Sequence, residues 1–384
     1  MTDWGIVVRE LAELKNAREP YELEFKSPSE LVDLLEDRGL TIDGERGEAA
    51  YLIEAVGYFH LKGYLAVLKE AVRRKDYRSG TKFSDAIALL QWEQRLSALL
   101  LEQIGKVEMR LRSAVVECIG TGRGDGYLEE ANYDVNRLKN QHARKLDHRS
   151  RVQLSEWDWF VDWLEKRIYA VMREKEFEFI QGHANKRKNQ HLPLWILLET
   201  MSLGDLLIIY EHLSPKNRAA VAAKFANASA AGGQLKENEF GRMLEAIRTL
   251  RNMASHYHAF FDKQFPFPPL SEFRDKFRES PYFPSLGASR KKCTTYDVIL
   301  MLAFLEPAVQ RDTAFSADVA DILRDFPASI QGLSEQAFGG RKGWQRHAPW
   351  SSGSQSPAGE NVDYGNRERQ KRPKSAKSKG KRRR

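Results

Sequence analysis

Several things are scarce in this sequence of 384 residues, and each scarcity excludes a class of protein. Only two cysteines occur, Cys118 and Cys293, far apart and without CxxC spacing. A disulfide framework and a cysteine-based zinc site are therefore excluded, and a reducing compartment fits. No apolar run approaches the ~18 residues of a membrane span. The densest stretch, 192–210, is interrupted by Pro193, Glu199, Gly204 and Asp205. The first residues, MTDWGIVVRE, lack the charged-then-apolar pattern of a secretion signal. HExxH, GxSxG and clustered DxD motifs are missing, so hydrolytic metal sites and serine-hydrolase chemistry have no support. The expectation is a cytoplasmic protein with no membrane partner, no metal and no cofactor.

What is present begins with charge. The chain carries 61 Lys+Arg against 53 Asp+Glu, a net charge of +8. Eleven of those bases fall in 367–384 beside one acid, Glu368, which leaves 50 basic and 52 acidic residues in 1–366, a balance of −2. The basic character belongs to a tail, and the body is near neutral. With 42% hydrophobic residues the body is long and apolar enough to bury a large core.

The dominant period is helical. From 85 to 120, Leu89, Trp92, Leu96, Leu99, Leu100, Ile104, Val107, Leu111 and Val115 recur at steps of three and four without a proline, which predicts a long amphipathic helix. Shorter helical patterns cover 29–37, 50–71, 155–181, 194–213, 215–226, 239–262, 295–304 and 316–325, with Ser29 and Ser155 as expected N-caps. Alternating β patterns are hard to find, so the expected fold class is all-α. Gly120 to Gly126 (GTGRGDG) has phosphate-loop composition but lacks the preceding strand and the following Lys-Ser/Thr, and it reads as a solvent loop. Three units are expected: a helical extension over 1–45, a helical body over 46–335, and a tail over 336–384, Gly/Ser-rich and then Lys/Arg-rich, disordered when unbound.

One segment concentrates chemistry, Arg242 to His258 (RMLEAIRTLRNMASHYH). Met243, Ile247, Leu250, Ala254, Tyr257 and Phe261 would form the buried stripe of a helix. Arg251 and His256 would flank that stripe, with Asn252 on the same side as His256. Arginine offers fixed bidentate charge for a phosphate, and imidazole, titrating near neutral pH, can move the proton of a hydroxyl or leaving group. The spacing alone is weak: Arg137 and His142 repeat it in a polar stretch that reads as solvated. By itself the Arg251/His256 pair admits both a catalytic site and an ordinary surface helix. Glu108, Arg110 and Arg112 read as an interhelical salt bridge, and Trp157, Trp159, Trp163 and Trp195 as core or helix contacts. Arg137, Arg144 and Lys145 with Lys186, Arg187 and Lys188 fit either an RNA path or a solvated loop.

Arg251-Asn252-Met-Ala-Ser-His256 resembles the RNxxxH motif of HEPN-domain ribonucleases, and the chain around it resembles the Abi-like (AbiD/AbiF) abortive-infection proteins of bacteria. Residues 51–64, with Gly57, Tyr58, Gly63 and Tyr64, are similar to that family's GYxxLxGY block. Residues 83–111, with Gln91 to Leu96, resemble its long central helix, and 192–206 its PLWxxxExxSFG block. The likeness spans roughly 45–310, places the motif part at about 190–310, and links the group to the RNA-guided ribonucleases of type VI CRISPR systems. The family often continues as HHxR, whereas here Tyr257, His258 and Ala259 follow.

The resemblance implies a HEPN-like helical bundle and metal-independent cleavage of RNA by 2′-hydroxyl attack. Arg251 would stabilise the phosphorane, His256 would be general acid or base, and Asn252 would orient one of them. On an ideal helix Arg251 and His256 point about 140° apart, so a homodimer pairing two motif helices is expected. Two alternatives remain open: a catalytically silent binder holding a small RNA, and a toxin component controlled by an antitoxin or other partner. The tail, with Lys381, Arg382, Arg383 and Arg384, would add non-specific RNA affinity. Truncation after residue 340 should therefore lower RNA affinity and its salt dependence more than cleavage at saturating RNA, which a salt titration of binding beside single-turnover kinetics would measure.

Overall fold

The computed structural model describes residues 24–351 apart from 71–74, 121, 123, 143–153, 174–177, 179, 181, 183–191, 227–234, 262, 266–292, 311–313, 331, 341–342 and 347–348. Its fold is all-α. In chain order the helices are α1 (Pro28–Asp37), α2 (Arg46–Val56), α3 (Tyr58–Val67), α4 (Phe83–Ile119), α5 (Val135–Lys139), α6 (Glu156–Arg173), α7 (Leu194–Leu197), α8 (Leu203–His212), α9 (Pro215–Ala226), α10 (Glu237–Ser255), α11 (Thr295–Val309) and α12 (Phe315–Arg324). Two short strands, β1 (Gln264–Phe265) and β2 (Cys293–Thr294), pair antiparallel.

The axis of the molecule is α4. Its 37 residues run unbroken, about 55 Å at 1.5 Å per residue. The apolar stripe read from sequence is buried along its length, from Leu89 through Trp92, Leu96, Leu100, Ile104, Val107 and Leu111 to Val115. Helices α3, α9, α10, α11 and α12 pack around it. Helix α11 is buried at every position from Thr295 to Glu306, as expected of a helix apolar on all sides. Of its two buried carboxylates, Asp297 closes the cap of α11 itself, and Glu306 accepts hydrogen bonds from the Ser316 backbone N–H and hydroxyl and so caps the first turn of α12.

Local sequence explains most helix ends. Ser27, not Ser29, caps α1, because Glu30 lies at the position from which it can return a bond to the Ser27 N–H. Ser202 with Asp205 and Thr294 with Asp297 form the same reciprocal cap on α8 and α11. The single helix expected over 50–71 is two, broken at Gly57, whose φ of 88° suits glycine. The segment 194–213 is also divided, since Leu198–Thr200 forms a 3-10 turn before Ser202 restarts the chain as α8.

Packed structure extends past residue 335. Trp344 and Trp350 are 2% and 1% exposed, and the Trp350 indole N–H donates to the Tyr296 hydroxyl at 2.8 Å. Periodicity could not show this, because these side chains dock singly from short turns. Residues 352–384 lie outside the described residues.

One close approach orients the N-terminal helices against the rest. A Cβ on Gly63 of α3 would sit 2.7 Å from the Cβ of Ala259, and the next atom is the Ala259 Cα at 3.9 Å. Gly63→Ala should therefore lower stability by about 1–3 kcal/mol, although alanine is the better helix former by ~1 kcal/mol. Ala259→Gly in that background should recover most of the loss, as denaturant unfolding of the single and double variants would record.

Candidate functional site

The chemistry-bearing segment occupies the C-terminal turn of α10. Met243, Ile247, Leu250 and Ala254 are buried as the stripe requires, which leaves Arg251 and Asn252 half-buried at its edge. The helix ends at Ser255, however, and does not continue to 262. His256 is the C-cap, with φ −102° and ψ 10°. The Tyr257 N–H donates to the Ala254 carbonyl (3.2 Å) and the His258 N–H to the Met253 carbonyl (2.9 Å). That is the bonding pattern of a Schellman motif, in which the residue after the C-cap takes the left-handed conformation.

The residue there is Tyr257, with φ 53°, and among the described residues no other non-glycine has positive φ. This costs roughly 1 kcal/mol that glycine would not. The expected buried stripe is corrected accordingly. Tyr257 is 56% exposed, while Phe261 is buried from beyond the turn, against Trp92 and Tyr64. A helical wheel carried past Ser255 keeps both in phase and so misses the turn.

Beyond the turn the chain is clamped by groups far away in sequence. Glu93, 2% exposed in the first third of α4, accepts from the Tyr64 hydroxyl (2.8 Å) and the Phe260 N–H (2.7 Å). The Phe260 carbonyl accepts from the Thr295 hydroxyl at 3.0 Å, and β1 then pairs with β2 at the head of α11. Burial pushes the Glu93 carboxyl up to about 7, against the downward pull of the two donated bonds and of Lys263.

At the surface, His256, Tyr257 and His258 are all exposed. The His256 and His258 rings lie 6.0 Å apart, and the edge of the Tyr257 ring meets His60 of α3 at 6.3 Å. Burial, and then the neighbouring His258, hold the His60 imidazole below its usual value. The Arg251 guanidinium lies 3.5 Å from the Asn252 side-chain oxygen. Arg248, one turn earlier, is ion-paired to Glu245, whereas Arg251 has no ion pair among the described residues. The turn thus presents one cation, one amide and two imidazoles to solvent, a set able to hold a phosphodiester and move protons on it.

The other expected residues fall elsewhere. Arg137, expected to line either an RNA path or a solvated loop, bonds Asp134 (2.8 Å) and the Glu211 carbonyl (3.0 Å), tying α5 to the end of α8. Arg144, Lys145, Lys186, Arg187, Lys188, Lys381, Arg382, Arg383 and Arg384 lie outside the described residues. The expected interhelical bridge is also rearranged. Glu108 and Arg112 pair within α4, and Arg112 reaches across to the Leu198 and Met201 carbonyls (2.9 and 2.8 Å). Arg110 and, from α9, Lys224 share Glu117. Trp157 is buried, Trp195 covers Gly124, and Trp159 and Trp163 stack beside a groove of about 690 Å³ that Arg248 also lines.

The family model described as Abi-like protein matches residues 51–262, more than half of the chain. The chain belongs to the Abi-like protein family. In this Abi-like protein the matched region runs from α2 through the Schellman turn, so it contains Tyr64, Glu93, Arg251, His256 and Phe260 together. No curated protein and no solved structure matches the chain. Among the described residues of the Abi-like protein no helix is long and apolar enough to cross a membrane.

The clamp makes a pH-dependent prediction. In the folded Abi-like protein Glu93 titrates near 7, above the ordinary 4.5. Its contribution to stability is fully present below about pH 4.5 and is lost as pH rises through about 7, a swing of about 3 kcal/mol. Glu93→Gln can still accept from the Phe260 N–H and donate to the Tyr64 hydroxyl. It should flatten the stability profile between pH 5 and 8 in denaturant titrations, while Glu93→Ala should lower stability at every pH.

Proposed function

We propose that this Abi-like protein is an endoribonuclease of abortive infection, the bacterial defence against phage, and that Arg251, Asn252 and His256 form its HEPN-type site. The observation that carries the reading is the C-terminal turn of α10, where the three residues stand at the surface on a segment stapled from behind by Glu93 and Thr295. Arg251 would stabilise the charge that grows on the phosphorane, and Asn252, beside it, would fix its direction. His256 would take the 2′-hydroxyl proton or give one to the 5′-oxygen, leaving a 2′,3′-cyclic phosphate. None of these steps requires a metal.

A homodimer is part of the proposal. Phe59, 84% exposed, adjoins His60, which contacts Tyr257, 56% exposed, so two exposed aromatic rings border the motif and could be buried against a second copy. Pairing there would bring two Arg251 guanidinia toward one RNA strand.

Purified protein incubated with labelled RNA in EDTA should cleave it to products ending in a cyclic phosphate. Arg251→Ala should slow the reaction by about 10²–10³-fold and His256→Ala by about 10²–10⁴-fold. Bound but uncut RNA in every lane would establish a silent binder instead, and cleavage persisting in His256→Ala would move the site elsewhere. Light scattering of the active species would test the dimer, and an active monomer would remove it.

A further inference from the structure

The ribonuclease reading asks for two proton transfers but names one imidazole. In-line attack needs a base at the 2′-hydroxyl and an acid at the 5′-oxygen, on opposite sides of phosphorus. If α10 continued as a helix, His258 would lie two positions from His256, about 160° around the axis. The Schellman turn removes that geometry. With Tyr257 left-handed and the His258 N–H returned to the Met253 carbonyl, the two rings stand 6.0 Å apart with planes tilted by 36°. Hydrogen bonds of about 3 Å from each ring could reach two different oxygens of one phosphate held between them.

From this geometry we infer that His258 is a second catalytic residue, dividing the two proton transfers with His256 inside a single protomer. The inference rests on the ribonuclease reading but not on the dimer. The step balances within the RNA and the two rings. The 2′-oxygen bonds to phosphorus as one imidazole takes its proton, and the bond from phosphorus to the 5′-oxygen breaks as the other imidazole protonates the leaving group. The pair is then returned to its starting state by exchange of one proton with water.

Two features of the surroundings fit this role. The left-handed Tyr257 stores strain where it decides the direction of the next side chain, a common use of strain at functional sites. His60 of α3, against the Tyr257 ring, is held below its usual value first by burial and then by the charge of His258, so a second imidazole stands near enough to His258 to feel it. The remaining charged group on the turn is Arg251.

The test compares wild type, His258→Ala, His258→Asn and His60→Ala across pH 5 to 9, on RNA and on a substrate whose 5′-bridging oxygen is replaced by sulfur. That thiolate leaves without a proton. The expected result is a loss of about 10²–10⁴-fold in kcat for both His258 variants, with KM little changed and one limb of the bell-shaped profile gone. His60→Ala should shift the limbs without removing either. Recovery of His258→Ala on the sulfur substrate supports the inference with His258 as the acid; loss of the acidic limb without recovery supports it with His258 as the base. Wild-type rates, or a slower reaction with both limbs intact in variants of unchanged melting temperature, would overturn it while leaving the ribonuclease reading standing. A wild-type protein that cuts neither substrate would overturn both.

Discussion

A carboxyl group buried in the first third of a 37-residue helix decides where the chemistry-bearing segment ends. Glu93 can satisfy two donors at once, and the two it meets are the Tyr64 hydroxyl from α3 and the backbone of Phe260 just beyond the motif turn. A buried carboxyl without partners would cost several kcal/mol, so the three elements are fixed as a set. Gly63 sets the distance at which α3 can approach, since only hydrogen fits opposite the Ala259 methyl. Thr295 then holds the other face of the Phe260 peptide from α11. Exposed residues 256–258 are thus mounted on a backbone whose next residues are fully buried, which is how a surface site keeps its geometry.

The end of a helix is an unusual place to receive a phosphate. Its last carbonyls carry roughly half a negative charge, which repels an anion, and the Schellman bonds satisfy only some of them. Arg251 lies one turn back from that end, has no ion pair among the described residues, and brings a full positive charge. The sum favours an anion only while Arg251 is present. The neighbouring Arg248 cannot substitute, because Glu245 holds it in a two-pronged pair. The same carbonyls favour a cation close by, so an imidazolium at His256 or His258 gains from the helix end what the phosphate loses. Helix terminus, arginine and imidazoles are in this way interdependent, and removing one changes the electrostatics of the others.

The helical body was legible wherever period and punctuation agreed. The stripe from Leu89 to Val115 corresponds to one helix because no glycine or proline in it demands another conformation, and 215–226 matches α9 residue for residue. Legibility failed where a tertiary contact overrode the period. Tyr257 and Phe261 stay in phase with Leu250 and Ala254, so nothing local announces the turn; its cause is Glu93, distant in sequence, capturing the Phe260 N–H. Gly57 gave a local signal as a glycine inside a helical pattern, and it is where the helix breaks. Of the proposed site, Arg251, Asn252 and His256 are legible through the motif they resemble. His258, His60 and Glu93 are not, because their significance depends on a turn and a buried bond that spacing does not encode.

Charge sharpens the division of labour. A body of near-neutral balance cannot draw RNA by its overall field, and on the surface described, arginines such as Arg137, Arg167 and Arg248 are committed to carboxylates. Eleven bases are instead gathered in 367–384. Long-range attraction falls off within a Debye length of about 8 Å at physiological salt, so the half-buried Arg251 governs only what already touches the turn. On the proposed reading, capture and chemistry are separable by ionic strength. Encounter carried by the tail should weaken steeply with salt, while the step at the turn, made by groups in contact with one phosphate, should be nearly insensitive to it.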